Sequence, residues 1–189
     1  VSKANQILGV IRRSFELFDP VTLPLLFKSL VRPHLEYGNI IWGPFNKEDQ
    51  RLVERVQRRA TRLVPEIRHL SYQERLRKLQ IPSLLYRRRR GDVIMVYMLM
   101  NGLLGLKKED FFQPAPSAST RGHPLKVAKP RASSRVRRNH WSVRVVNDWN
   151  SLPTHVVLAP TLNLFKNSLD EHWSEFMYDI QVSRPEQSK

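Results

Sequence analysis

The sequence contains no cysteine, which excludes a disulfide framework, a thiolate zinc site and a cysteine nucleophile, and fits a reducing intracellular compartment, nuclear or cytoplasmic. It has no run of about 18 apolar residues, and no basic start leading into an apolar stretch and a small-residue cleavage site. Neither membrane insertion nor secretion is expected. Histidine is sparse: the six lie at positions 34, 69, 123, 140, 155 and 172, with no pair at the i, i+4 spacing that lets one helix face hold zinc. There is no Gly-rich phosphate loop ending in Lys-Ser or Lys-Thr and no Gly-x-Ser-x-Gly elbow. Carboxylates are dispersed, mostly beside Lys or Arg, and none pair to hold the two divalent ions of a polymerase. The expectation is a chain with no catalytic residue, no metal ligand, no cofactor and no small-molecule substrate.

What is abundant is positive charge. Thirty-two Lys and Arg against 17 Asp and Glu leave +15, and residues 47–138 hold 23 of the basic and 8 of the acidic residues, so the flanks are neutral. A basic stretch on a folded scaffold raises the local concentration of phosphates and gains affinity by counterion release. RNA, DNA or an RNA–DNA hybrid is the expected partner. With 41% apolar residues there is enough material for a core, and the chain should fold. It opens at Val1, inside a helical pattern, as a fragment would.

Apolar periodicity predicts a mainly α protein. Ile7, Leu8, Ile11, Phe15 and Leu17 or Phe18 recur at three and four over Ser2 to Phe18. Asp19-Pro20, an N-cap followed by proline at the first helical position, restarts the pattern through Val31, and Pro33 should kink or end it. The most legible helix covers 47–64. Leu52, Val53, Val56, Ala60, Leu63 and Val64 lie on one side, and Arg51, Arg55, Arg58 and Arg62 fall within roughly 60° of one another on another side. Ser71-Tyr72-Gln73-Glu74 is a capping box opening a short helix through Leu79. Pro82 and Ser83 open the next, to about Leu104, weakened locally by Gly91. From Gln113 to Ser134 the composition turns to Pro, Ser, Ala, Gly and basic residues without helical period, predicting a loop or short extended segments and a domain boundary, with a short irregular or two-stranded insert around 120–138. Helical pattern returns at His140 to Trp149 and from Thr161, an N-cap, to about Phe176, with Leu162, Phe165, Leu169 and Trp173 on a face. The segments expected are a helical region over 1–104, a basic linker or short extended segments over 105–138, a helical region over 139–181 and a tail over 182–189.

Five arginines and no lysine occur between positions 51 and 62, and arginine suits bidentate phosphate contacts better than lysine does. The expected nucleic-acid-binding set is Arg51, Arg55, Arg58, Arg59 and Arg62, the run Arg87, Arg88, Arg89 and Arg90, and the basic residues Arg121, Lys126, Lys129, Arg131, Arg135, Arg137 and Arg138. The last stretch also reads as a nuclear-import signal or a backbone clamp. Trp42, Trp141, Trp149 and Trp173 are either stacking platforms for bases or core residues, and each fits an apolar helix face. Arg90-Gly91-Asp92 spells an adhesion triplet but falls within a predicted helix.

Several phrases, in order, resemble the C-terminal third of jockey-like LINE-type (non-LTR) retrotransposon reverse transcriptases. They are Leu30-Val31-Arg32-Pro33-His34-Leu35-Glu36-Tyr37-Gly38 ending in Trp42, Leu52-Val53-Glu54-Arg55-Val56-Gln57-Arg58-Arg59-Ala60-Thr61-Arg62, Leu70-Ser71-Tyr72-Gln73-Glu74-Arg75-Leu76, and Arg87-Arg88-Arg89-Arg90-Gly91-Asp92. Thr120-Arg121-Gly122-His123, Trp149-Asn150-Ser151-Leu152-Pro153 and Phe165-Lys166-Asn167-Ser168-Leu169-Asp170 follow. The resemblance implies that 1–104 is a thumb holding a template-primer duplex, that 105–189 is the region beyond it, and that the fingers and palm are missing partners. The family's Tyr-x-Asp-Asp box has no counterpart here. A reading of another class is a former element fragment kept as a helical protein-interaction module. A third is a remnant that folds poorly because apolar surface is left exposed.

Overall fold

The computed structural model describes residues 1–44, 46–116 and 122–180. The chain is mainly helical, with no β-strand among the described residues. Two compact units emerge, one built from 1–39, 44–87 and the described residues from 175 onward, the other from 40–43 and 88–174. The division falls inside a helix, at Arg87 and Arg88.

In the first unit, α1 (Ser2–Ser14) buries Ala4, Leu8 and Ile11, the one face that three-and-four spacing brings together. It stops four residues short of Phe18, because Phe15 takes extended backbone, φ −129° and ψ 130°. That turn brings Phe18 into the core and leaves Leu17 80% exposed. The Asp19 carboxylate then accepts hydrogen bonds from the backbone N–H of Val21 (2.7 Å) and Thr22 (2.8 Å), capping α2 (Thr22–Leu26). A π-helical turn, Phe27–Val31, joins α2 to α3 (Pro33–Glu36). Pro33 has no N–H and its ring would meet the carbonyl four residues back. Widening the turn, with the Arg32 N–H donating to the Phe27 carbonyl at 2.9 Å, accommodates the proline, so the helical run continues past it.

After α4 (Asn39–Trp42), α5 (Lys47–Thr61) packs Val53, Val56 and Ala60 into the core shared with α1, α2 and α3. Each valine so buried contributes roughly 1.5–3 kcal/mol, and the Ala60 methyl about 0.8 kcal/mol. The capping box is present: the Ser71 N–H donates to Glu74 Oε2 at 2.8 Å and the Glu74 N–H to Ser71 Oγ at 3.4 Å, at the start of α6 (Tyr72–Lys78). α6 ends with Gln80 at φ 50°, with the Ile81 N–H reaching back to the Leu76 carbonyl and the Gln80 N–H to the Arg77 carbonyl, the hydrogen-bond pattern of a Schellman cap.

Helix α7 (Leu84–Met100) opens at Ser83, whose Oγ accepts from the Tyr86 N–H. It runs unbroken through Gly91 and ends in a Schellman cap with Gly102 at φ 69°, four residues before the expected stop. After α7, among the described residues, one isolated antiparallel bridge joins Pro114 and Val127. Beyond it lie α8 (Arg135–Asn139), α9 (Trp141–Arg144), α10 (Val146–Asn150), α11 (Thr154–Val157) and α12 (Leu162–His172), the last capped by Thr161 as its sequence requires. The core of this second unit is aromatic. Tyr97 stacks on Phe165 at 4.1 Å, and Trp149, with no solvent-accessible surface, packs against Phe165 and His123.

Candidate nucleic-acid interface

Helix α5 presents three surfaces. Val53, Val56 and Ala60 are the apolar one. Beside it runs a buried polar edge, Glu54, Gln57 and Thr61, each with a partner: Glu54 accepts from the Tyr72 hydroxyl (2.6 Å) and from the N–H of Leu84 (3.1 Å) at the start of α7. Gln57 donates to the Pro82 carbonyl (3.0 Å), and Thr61 Oγ1 accepts from the Arg75 Nε (3.0 Å). These bonds fix the roll of α5. The remaining surface is the arginine face, where Arg51, Arg55, Arg58 and Arg62 are all exposed.

Their surroundings differ. Arg51 pairs with Glu48 one turn back at 2.5 Å, with both side chains about 70% exposed, a contact worth at most about 1 kcal/mol in water. Arg58 lies over the Tyr72 ring, 4.8 Å from its centroid. None of the ion pairs among the described residues involves Arg55, Arg58 or Arg62. Arg59, at the edge of this face, donates to the Asn5 side-chain amide oxygen on α1. Burial and the Glu54 carboxylate together raise the Tyr72 hydroxyl well above the usual phenol range, so it stays a hydrogen-bond donor.

The run on α7 behaves otherwise. Arg87 forks onto Glu36, with Nη2 at 2.9 Å from Oε2. Arg89 forks onto Asp148 at 2.9 and 2.6 Å and lies over the Trp173 ring. Arg90 forks onto Asp170 at 2.5 and 2.7 Å, and Arg88 is buried. Asp92, the other end of the adhesion triplet, is buried and forks onto Arg144 at 2.8 Å on each oxygen. The guanidinium groups of Arg87, Arg89 and Arg90 thus hold the protein's own carboxylates.

Of the remaining basic residues, Lys129, Arg131, Arg135, Arg137 and Arg138 are exposed and Lys126 is half-buried, all in the second unit. Ser134 Oγ caps α8, accepting from the Arg137 N–H. Arg121 lies outside the described residues, as does the 182–189 tail. Trp141, Trp149 and Trp173 are core residues. The indole N–H of Trp141 donates to the Asp92 carbonyl and that of Trp149 to the Leu125 carbonyl. The Trp42 side chain is outside the described set.

Sequence reasoning passed over Arg75. Arg75 is only 3% exposed, with Nε on Thr61 and Nη1 on the Leu70 carbonyl at 2.6 Å, and it takes part in none of the ion pairs among the described residues. Burial lowers its affinity for a proton, and Arg62 and Arg58 lower it further by repulsion. Its spacing from Tyr72 and Leu76 on α6 marks an inward position only once the face of that short helix is known. Among the described residues, no group of three or more His, Asp or Glu could hold a metal, and no helix is long and apolar enough to cross a membrane. No protein family, curated protein or solved structure matches this chain.

Proposed function

We propose that this chain binds nucleic acid, whether RNA, DNA or their hybrid, through the exposed arginine face of α5. In this reading it is a catalytically incomplete piece of a jockey-like LINE-type RNA-directed DNA polymerase, nuclear or cytoplasmic, that positions a duplex and does no chemistry on its own. The observation that supports it is the state of Arg55, Arg58 and Arg62. They are exposed on one face of a helix anchored on its other two sides, and none takes part in an ion pair among the described residues. Arginine contacts to phosphate position a backbone without reading bases, so affinity depends steeply on salt and little on sequence. Replacing Arg51, Arg55, Arg58 and Arg62 together by Gln should weaken binding to an RNA–DNA hybrid and reduce the slope of log K against log salt by up to about 3–4. Equal affinity of the variant and the parent at two salt concentrations would refute the assignment.

A second reading has its own observation. Leu17, Val21, Leu25 and Leu30 are exposed apolar side chains around α2 and the π turn, more than isolated surface apolar residues require. This favours a helical protein-interaction module. Sedimentation without nucleic acid distinguishes the two: self-association abolished by Leu17→Ser with Leu25→Ser supports the module, and a monomer that shifts an RNA–DNA hybrid supports the binder.

A further inference from the structure

Arg75 poses a physical problem that its own hydrogen bonds do not solve. A buried guanidinium is normally matched by a carboxylate, because neutral acceptors offset only part of the desolvation of a full charge. Here the acceptors are a threonine hydroxyl and a backbone carbonyl, and the neighbours that act on it include two more arginines, Arg62 and Arg58. Arg58 and Arg62 are four residues apart on α5 and so adjacent on its surface. The Tyr72 ring carries Arg58 at 4.8 Å and Arg75 at 5.6 Å from its centroid. Arg68, also exposed, is tied by its Nε to the Arg62 carbonyl at 3.1 Å. The carboxylate that touches Tyr72, Glu54, is turned to the tyrosine hydroxyl and the start of α7.

The geometry points to a site for one phosphate group at the corner of α5 and α6, contacted by Arg58 and Arg62, with buried Arg75 as the fixed positive charge behind them. The Tyr72 ring attracts the Arg58 guanidinium without taking up a hydrogen bond, which leaves its N–H groups for a fork onto phosphate oxygens. The buried charge raises the potential at the site without being screened by salt as a surface charge would be. The inference rests on the nucleic-acid reading for the source of the phosphate, a backbone phosphodiester, and adds that one position on the arginine face is a defined subsite and not part of a diffuse field.

The test is a titration of the full 15N-labelled chain with inorganic phosphate, against chloride at matched ionic strength, following the arginine Nε–Hε resonances. The expected result is a saturable shift of the Arg58 and Arg75 signals with phosphate alone, weakened about tenfold by Arg62→Gln, as for loss of one charge-assisted bond, and changed less than about twofold by Arg55→Gln. An RNA–DNA hybrid should displace the phosphate. Arg75→Lys is expected to abolish saturation; should it unfold, the exposed Arg62→Gln variant still decides. Responses alike for phosphate and chloride, with hybrid binding intact, would overturn the subsite and leave the nucleic-acid reading standing. Saturation by phosphate without any hybrid binding would uphold the subsite and remove that reading. Displacement by phosphatidic-acid vesicles and not by the hybrid would overturn the backbone assignment.

Discussion

Two arginine-rich stretches in this chain look alike as text and end in opposite situations. Between 51 and 62 the guanidinium groups stand mostly in solvent on a helix whose buried surfaces are already satisfied. Between 87 and 90 three of them fork onto Glu36, Asp148 and Asp170, and the fourth is buried. The difference comes from the rest of each helix. α5 has a wide polar arc left over after its apolar face packs. On α7, buried residues recur on every side from Ser83 to Leu99, so its charged side chains lie at packed surfaces and need partners there. Arginine density therefore reports charge, and the burial of the surrounding helix decides whether that charge is available to a ligand.

The sharpest way to break this contrast is to remove a carboxylate from the packed side. Asp92 is buried and its fork with Arg144 is the most enclosed of the ion pairs among the described residues. Burial raises its carboxyl pKa, against the opposing pull of Arg144. Asp92→Ala should destabilise the second unit by about 3–5 kcal/mol, since Arg144 is left without its counter-ion. Asp92→Leu combined with Arg144→Met should be neutral or stabilising, because burial weighs more than attraction at this site. Denaturant unfolding measures both. A double variant as unstable as the single one would show that the pair is worth more than its desolvation.

Next in size is the exchange of roles between the two arginine sets. Arg89→Gln or Arg90→Gln should each lower stability by about 1.5–3 kcal/mol, the value of hydrogen bonds to a charged group. Neither should change the salt slope of hybrid binding. Arg55→Gln should do the reverse, with stability unchanged within about 0.5 kcal/mol and a slope lower by about 1. Unfolding curves and binding isotherms on the same three variants test the contrast directly. A reduced salt slope in Arg90→Gln would mean that its pairing with Asp170 does not keep it from the ligand.

What the sequence makes legible follows from range. The α5 faces, the Ser71 capping box, the Thr161 cap and the mainly helical class depend on residues within about four positions of one another, and local periodicity carries them. The ion pairs of α7 join residues 51 to 80 positions apart, and nothing local marks Glu36, Asp148 or Asp170 as their acceptors. Arg75 was hidden for the same reason: its burial depends on how α6 lies against α5. Leu17 and Phe18 were interchangeable as text, and the backbone turn at Phe15 chose between them. The π turn before Pro33 was also hidden, since a proline can end a helix or widen it, and the packing of Phe27, Val31 and Leu35 favours continuing.

A pH experiment probes the second unit alone. His123 has no accessible surface, its Nε2 lies 3.0 Å from the Trp149 carbonyl, and its Nδ1 is buried with no hydrogen-bond partner among the described residues. Burial lowers its pKa, against the Trp149 carbonyl, and Lys126 repels a second positive charge there. The unfolded chain thus takes up this proton first as pH falls. The contribution of His123 is fully present above its unfolded value of about 6.5 and is lost as pH falls from there toward the folded value. Stability measured from pH 8 to pH 5 should decline through that window, and His123→Gln should flatten the part of the decline that begins near 6.5. An equally steep curve in the variant would assign the loss to another group.

The smallest effect concerns the end of α6, and it sharpens the comparison by leaving charge alone. Gln80 occupies the left-handed position of a Schellman cap at φ 50°, where a Cβ is held close to backbone atoms and glycine is not. At the equivalent position after α7 the chain has Gly102, so one helix end is relaxed and the other strained. Replacing Gln80 by Gly removes the strain but adds freedom to the unfolded chain, and the net gain should be about 0.5–1 kcal/mol. Because Arg75 and the Tyr72 ring sit on the same short helix, the variant should raise the thermal midpoint of unfolding while leaving phosphate saturation and hybrid affinity unchanged. If stability rises and phosphate affinity rises with it, fraying of α6 limits the pre-organisation of the arginine site, and the packed and exposed arginines are then coupled through the helix that the exposed ones lean on.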